Sequence, residues 1–176
     1  MFAPGSILIQ ENFFYNTLKI RIMNIKKSYL GHIEPSYQEL KKMGKTIFKS
    51  RMANVEEVII TAIEGGSNYW CLLDKDDIAL SKKNLFEFGV RHKEIHYDFI
   101  DALFQQPDLY IRVYDSEFPD EEIGQLSQLN IFYGIGLAIY EYPEQFAQHF
   151  TLDYSGDCLS ADTLFQLFTL GAVNFG

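Results

Sequence analysis

Apolar residues recur at helical spacing over most of this chain, and the sharpest departure is one strictly alternating stretch, residues 109–115 (LYIRVYD). The fold therefore has to join several helices to a small sheet. Pro35-Ser36 introduces a first helix in which Leu40, Met43 and Ile47 face inward while Lys41, Lys42, Lys45 and Lys49 face out. Asn54 is expected to cap a second helix, with Glu56 and Glu57 in its first turn, where the helix dipole favours anions. Gly65-Gly66 should end it, and the turn that follows should deliver Trp70 to the core, with Ser67 and Asn68 satisfying freed backbone groups.

Further along, residues 75–80 read as a loop with a short edge, and Ser81 opens a helical stretch through Phe86. Residues 93–105 form an amphipathic helix on Ile95, Phe99, Ala102 and Leu103, stopped by Pro107. Ser127 starts another, with Leu126 placed to staple onto Ile131, and Gly134 and Gly136 in it imply close approach of a neighbour. Pro143 suits the first turn of a short helix over residues 144–150, and Ser160 is expected to cap a last one through Leu170. The class is α+β: a mostly helical single domain with a small antiparallel sheet.

A chain of 176 residues with no Pro/Gly/Ser linker, repeat or low-complexity tract reads as one globular domain, residues 1–176. Residues 1–22 are read as an N-terminal extension or an edge strand. Met23 opens what looks like a natural start, yet Leu18-Lys19-Ile20-Arg21-Ile22 alternates as a half-buried strand does. Two cysteines, Cys71 and Cys158, favour a reducing compartment. No run approaches the roughly 20 apolar residues of a membrane helix, and no signal segment is evident, so a cytoplasmic protein without a membrane partner is expected.

Charge is distributed unevenly. Residues 1–60 hold nine basic and five acidic side chains, residues 61–120 hold six and twelve, and residues 121–176 hold none and seven. Arg112 is the last cation of a chain whose formal charge is -9. Such polarity favours a partner with a basic surface and opposes direct binding of nucleic acid, although Lys41, Lys42, Lys45, Lys49 and Arg51 cluster around one helix.

Three constellations bear on chemistry. In Glu64-Gly65-Gly66-Ser67-Asn68-Tyr69-Trp70-Cys71 the glycines sit at a helix C-terminus, whose dipole repels phosphate, and no P-loop Lys follows. Cys71 has no neighbouring base to lower its pKa. His92 and His96 share a helical spacing, but Lys93 stands where the zinc-protease pattern needs Glu, and no third ligand is indicated. Asp153, Asp157 and Asp162 lack the twelve-position calcium loop with its terminal Glu. No metal, cofactor or catalytic residue is assigned.

The block Val58-Ile-Ile-Thr-Ala-Ile-Glu-Gly-Gly-Ser-Asn-Tyr-Trp70 resembles a stretch in a group of small phage, prophage and mobile-element proteins. So does the end of the chain: Leu126-Ser127, Gly134, Tyr142-Pro143-Glu144-Gln145-Phe146-Ala147, Ala161-Asp162-Thr163, Phe165-Gln166 and Gly171-Ala-Val-Asn-Phe-Gly176. The likeness spans roughly residues 54–74 and 109–176. It implies a phage-type accessory protein and brings no activity or catalytic residues with it.

Two functional expectations follow. The first is a non-enzymatic accessory protein that binds a host or phage protein, as an inhibitor of a host nucleic-acid-directed defence, through an acidic face formed by Asp115, Glu117, Asp120, Glu121 and Glu122. Aromatic anchors would come from the pool Tyr114, Phe118, Phe132, Tyr133, Tyr140 and Tyr142. The alternative is a nucleotide-like ligand, bound or turned over in a pocket near the Gly65-Gly66 turn, lined by Glu64, Asn68, Tyr69, Trp70 and Asp162 with the indole stacking on a base.

Overall fold

The computed structural model of the protein describes residues 34–87, 98–151 and 155–176. The strand expected at residues 18–22, the pair His92 and His96, and Asp153 lie outside the described residues. Among these residues seven helices and three strands follow one another in the order α1 (Tyr37–Ser50), α2 (Met52–Gly65), a 3-10 turn (Ser67–Tyr69), β1 (Cys71–Leu73), α3 (Lys75–Glu87), α4 (Asp98–Gln105), β2 (Tyr110–Asp115), β3 (Glu122–Ser127), α5 (Gln128–Glu141), α6 (Pro143–Phe150) and α7 (Cys158–Thr169). The protein is mostly helical α+β with one antiparallel sheet, ordered β1-β2-β3.

The centre is α5, whose residues Ile131, Phe132 and Gly134 through Ile139 are all buried, as a helix apolar on every side must be. It lies between α1 and α7, and glycines make both approaches. A Cβ at Gly44 of α1 would overlap the Phe132 carbonyl, one at Gly136 the Leu40 backbone, and one at Gly134 the Leu167 carbonyl. Hydrogen at these positions brings the backbones together, so the close approach expected from Gly134 and Gly136 is present on both faces of the helix. Phe48 fills the crossing edge-on to both Phe132 and Phe104.

Helix ends agree with expectation in part. Ser36 forms a capping box with Glu39, and Ser127 accepts the Asn130 N–H. Gly66, at φ 147°, holds a conformation closed to L side chains and ends α2 as anticipated. Asn54 is not a cap. Arg51 ends α1 and begins α2, and the Asn54 amide instead donates to the His149 carbonyl at 2.8 Å. Ser160 is the third residue of α7 and not its cap: Asp157 caps, and the two exchange hydrogen bonds in a capping box.

Residues 75–80 are helical, part of the continuous α3. Asp74 makes the difference, since its Oδ1 accepts the Asp76 and Asp77 N–H groups, each at 2.9 Å. The apolar stripe that identifies a buried helix is weak in this polar segment, and Arg112 supplies part of its attachment to the sheet. Asp77 receives the Arg112 guanidinium at 2.8 and 3.0 Å, and Asp74 Oδ2 lies 3.1 Å from it. That pairing holds the Asp77 carboxyl below its usual range.

One face of the sheet is core: Ile111, Val113, Leu126 and Cys71 are buried, whereas Leu72, Arg112, Tyr110 and Tyr114 stand on the other. The register slips by one residue between Val113 and Tyr114, leaving Ile123 as a bulge below the hairpin tip.

Overpacking at the central crossing should be costly. Gly44→Ala is expected to lower stability by about 2–3 kcal/mol, because the obstacle is backbone that cannot swing aside. Urea denaturation followed by circular dichroism checks this; an unchanged midpoint would contradict the described approach of α1 and α5.

Candidate functional site

Two groupings of polar side chains stand out, one buried and one exposed.

The buried one centres on Asp162 of α7, 8% exposed and, among the described residues, in no ion pair. Its Oδ1 accepts from the Ser67 hydroxyl and, at 2.7 Å, from the Trp70 indole N–H. Its Oδ2 accepts from the Gln166 amide at 2.9 Å and the Tyr69 hydroxyl at 3.3 Å. All these donors come from the 3-10 turn region or from one helical turn further along α7. Gln166 extends the network: its Oε1 accepts the Asn174 and Phe175 N–H groups, and its Nε2 donates to the Phe175 carbonyl at 2.7 Å. Phe175 is thereby laid on Trp70, with ring centroids 5.1 Å apart and 12° between planes.

Of the five residues expected to line a ligand pocket, Trp70, Tyr69 and Asp162 are thus brought together, by direct hydrogen bonds. Trp70 is 2% exposed, with Phe175 on one side and Phe165 nearby at 6.0 Å. In this arrangement Phe175 stands where a stacked base would lie. Glu64 and Asn68 are exposed around the turn. Ser67, expected to serve the local backbone, reaches Asp162 instead. Cys71 is buried, and burial with the Asp162 charge pushes its thiol up to about 12, the reverse of an activated nucleophile.

The exposed grouping is the β2–β3 hairpin. Asp115 closes the tip, its Oδ1 accepting the Glu117 and Phe118 N–H groups at 2.7 and 3.1 Å. Glu117, Asp120, Glu121 and Glu122 are all exposed around Phe118, itself 62% exposed. The hairpin therefore assembles the five carboxylates expected to form an acidic face, and among the described residues none of them is in an ion pair. Of the aromatic pool, Phe118 alone projects from the tip. Phe132 is core, and Tyr133, Tyr140 and Tyr142 pack partly buried against it. The hairpin base is tied to the buried network, since Ser116 donates its hydroxyl to the Tyr69 carbonyl at 2.6 Å and its N–H to that of Trp70 at 3.1 Å.

Beside the hairpin lies an open groove of about 630 Å³ between β1, the start of α3 and the tip, with Leu72, Tyr114 and Pro119 along it and Asp76 and Asp120 at its rim. Neither Leu72 nor this groove is singled out by the sequence, because β1 is too short to show alternation. On the opposite charge pole, Lys42, Lys45 and Lys49 are exposed on α1 as expected, and Lys45 lies 5.9 Å from the Phe132 ring centroid. Among the described residues no group of three or more His, Cys, Asp or Glu could hold a metal ion, and no helix is long and apolar enough to cross a membrane. Compared with protein-family models, curated proteins and solved structures, the chain finds no match in any of the three.

Two measurements probe the interior. In Asp162→Asn the new amide cannot accept from all four donors, so either Trp70 or Gln166 loses its partner. A loss of roughly 1–3 kcal/mol is expected, with a red shift of Trp70 emission, which the single Trp of the chain makes unambiguous. Unchanged stability and emission would contradict the network. His149, fully buried against Ser160 at 2.9 Å, has its pKa lowered from the usual 6.5 by burial, against an opposing pull from Asp157. The unfolded chain therefore takes up this proton first, and stability present above about pH 6.5 is lost as pH falls below it. Urea midpoints should drop between pH 7 and 5.5, less so in His149→Gln; equal slopes in the two proteins would contradict this.

Proposed function

We propose that this chain is a non-enzymatic accessory protein of phage type that docks through its β2–β3 hairpin onto the cationic surface of a host or phage protein. In this reading the surface is one that otherwise receives nucleic acid, and docking inhibits the host defence that uses it. The observation that carries it is the hairpin tip itself: four exposed carboxylates surround an exposed Phe118, and the last cation of the chain, Arg112, is committed to Asp74 and Asp77. Carboxylates on a rigid turn compete for guanidinium and ammonium groups that bind phosphate, and their summed field accelerates encounter with a basic partner. An aromatic ring at the centre supplies the apolar contact that charge alone lacks. The likeness to small phage and mobile-element proteins agrees with an intermolecular role.

Affinity capture from bacterial lysate tests this. A specific protein should be retained at low salt and released as salt or competing DNA is raised. Glu117→Lys with Asp120→Lys should slow association by about tenfold or more, and Phe118→Ala should weaken retention by about tenfold or more. Retention unaffected by salt, by DNA and by both sets of substitutions would overturn the reading.

A further inference from the structure

We infer that the open edge of β1 is a second contact, which takes up an extended segment of the partner as an added antiparallel or parallel strand, with basic side chains entering the groove beside it. The inference rests on the hairpin reading and gives the partner a chemistry: an extended, alternating segment bearing Arg or Lys.

Among the described residues β1 pairs with β2 alone, which makes it an edge strand of this sheet. Leu72 lies opposite Tyr114, the Asp74 N–H donates to the Arg112 carbonyl at 3.0 Å, and the Ser116 N–H donates to the Trp70 carbonyl at 3.1 Å. In an antiparallel pair such bonds fall on alternate residues. Residues 70, 72 and 74 thus face β2, and Cys71 and Leu73 turn their N–H and C=O groups to the edge. An unpaired edge is a template for strand addition, and β1 carries neither proline nor lysine to blunt it; its outward backbone groups belong to Cys71, buried on its core-facing side, and to half-buried Leu73.

Side chains define the occupant. An added strand alternates between the two faces of the sheet. On the outer face it would meet exposed Leu72 and the groove of about 630 Å³, where Tyr114 and Pro119 offer apolar contact to an aliphatic stem and Asp76 and Asp120 stand ready for its charged end. Among the described residues Lys75 is the one cation of the groove lining, outnumbered by Asp74, Asp76 and Asp120 and by the carboxylates of the adjoining hairpin. Arg and Lys suit such a site, since both bury a long apolar stem and keep the charge at the rim. An acidic or polyanionic segment would meet like charge.

The test uses the full chain and two short blocked peptides of equal charge, one alternating Arg with Val and the other Arg with Pro, which cannot supply the strand's N–H groups at every second position. Fluorescence anisotropy at low salt should show the Val peptide binding at least about tenfold more tightly, the worth of one or two backbone hydrogen bonds. NMR shifts should include the Cys71 and Leu73 amides, and Leu72→Ala or Asp76→Asn with Asp120→Asn should each weaken the Val peptide by severalfold. Equal binding of both peptides with shifts confined to residues 117–122 would overturn strand addition and leave the hairpin reading intact. Binding of neither would overturn strand addition and count against the hairpin's electrostatics as well. Protection of the Cys71 and Leu73 amides in the free chain would also overturn the inference. It would mean that the edge is already taken within the free chain.

Discussion

A carboxylate buried without a cation is costly unless hydrogen-bond donors replace the water it gives up. Among the described residues Asp162 is such a group, and the fold around it supplies them: Ser67, Tyr69 and Trp70 from the turn after α2, and Gln166 from its own helix. Because those donors sit immediately before β1, satisfying Asp162 fixes where the sheet begins. Because Gln166 also clamps Asn174 and Phe175, the same network closes the end of the described chain over the indole. The turn after α2 and the last residues of the chain are thus joined through one polar junction.

That junction also anchors the exposed parts of the fold. Ser116 ties the hairpin to the Tyr69 and Trp70 carbonyls, so the acidic tip projects from a fixed base. Arg112 consumes its charge in holding α3 against the sheet through Asp74 and Asp77. Charge polarity along the chain becomes two separate surfaces: lysines on the outer face of α1 and carboxylates around Phe118. The buried network gives rigidity, and the hairpin carboxylates with Phe118 stand exposed beyond it.

Much of this was legible in the sequence where one local signal dominated. Strict alternation placed β2, Gly134 and Gly136 announced close helix packing, and five carboxylates within eight residues marked the acidic tip. Legibility failed where distant residues decided the outcome. Asn54 resembles a cap, but a carbonyl 95 residues away takes its amide. Residues 75–80 lack a strong apolar stripe, and their helix is held through Asp74 and Asp77 by an arginine on another element. Trp70, Tyr69 and Asp162 meet through direct hydrogen bonds, but no local pattern reveals that Gln166 lays Phe175 across the indole. β1, three residues long, is too short for periodicity to register.

The most direct measurement of the central claim is a hydrogen-exchange footprint of the chain bound to the protein it captures from lysate. The account predicts that protection on binding gathers at residues 115–122, with the neighbouring strand β1. Protection over Glu64, Asn68 and Tyr69, or over the lysine face of α1, with the hairpin exchanging as in the free protein, would contradict it.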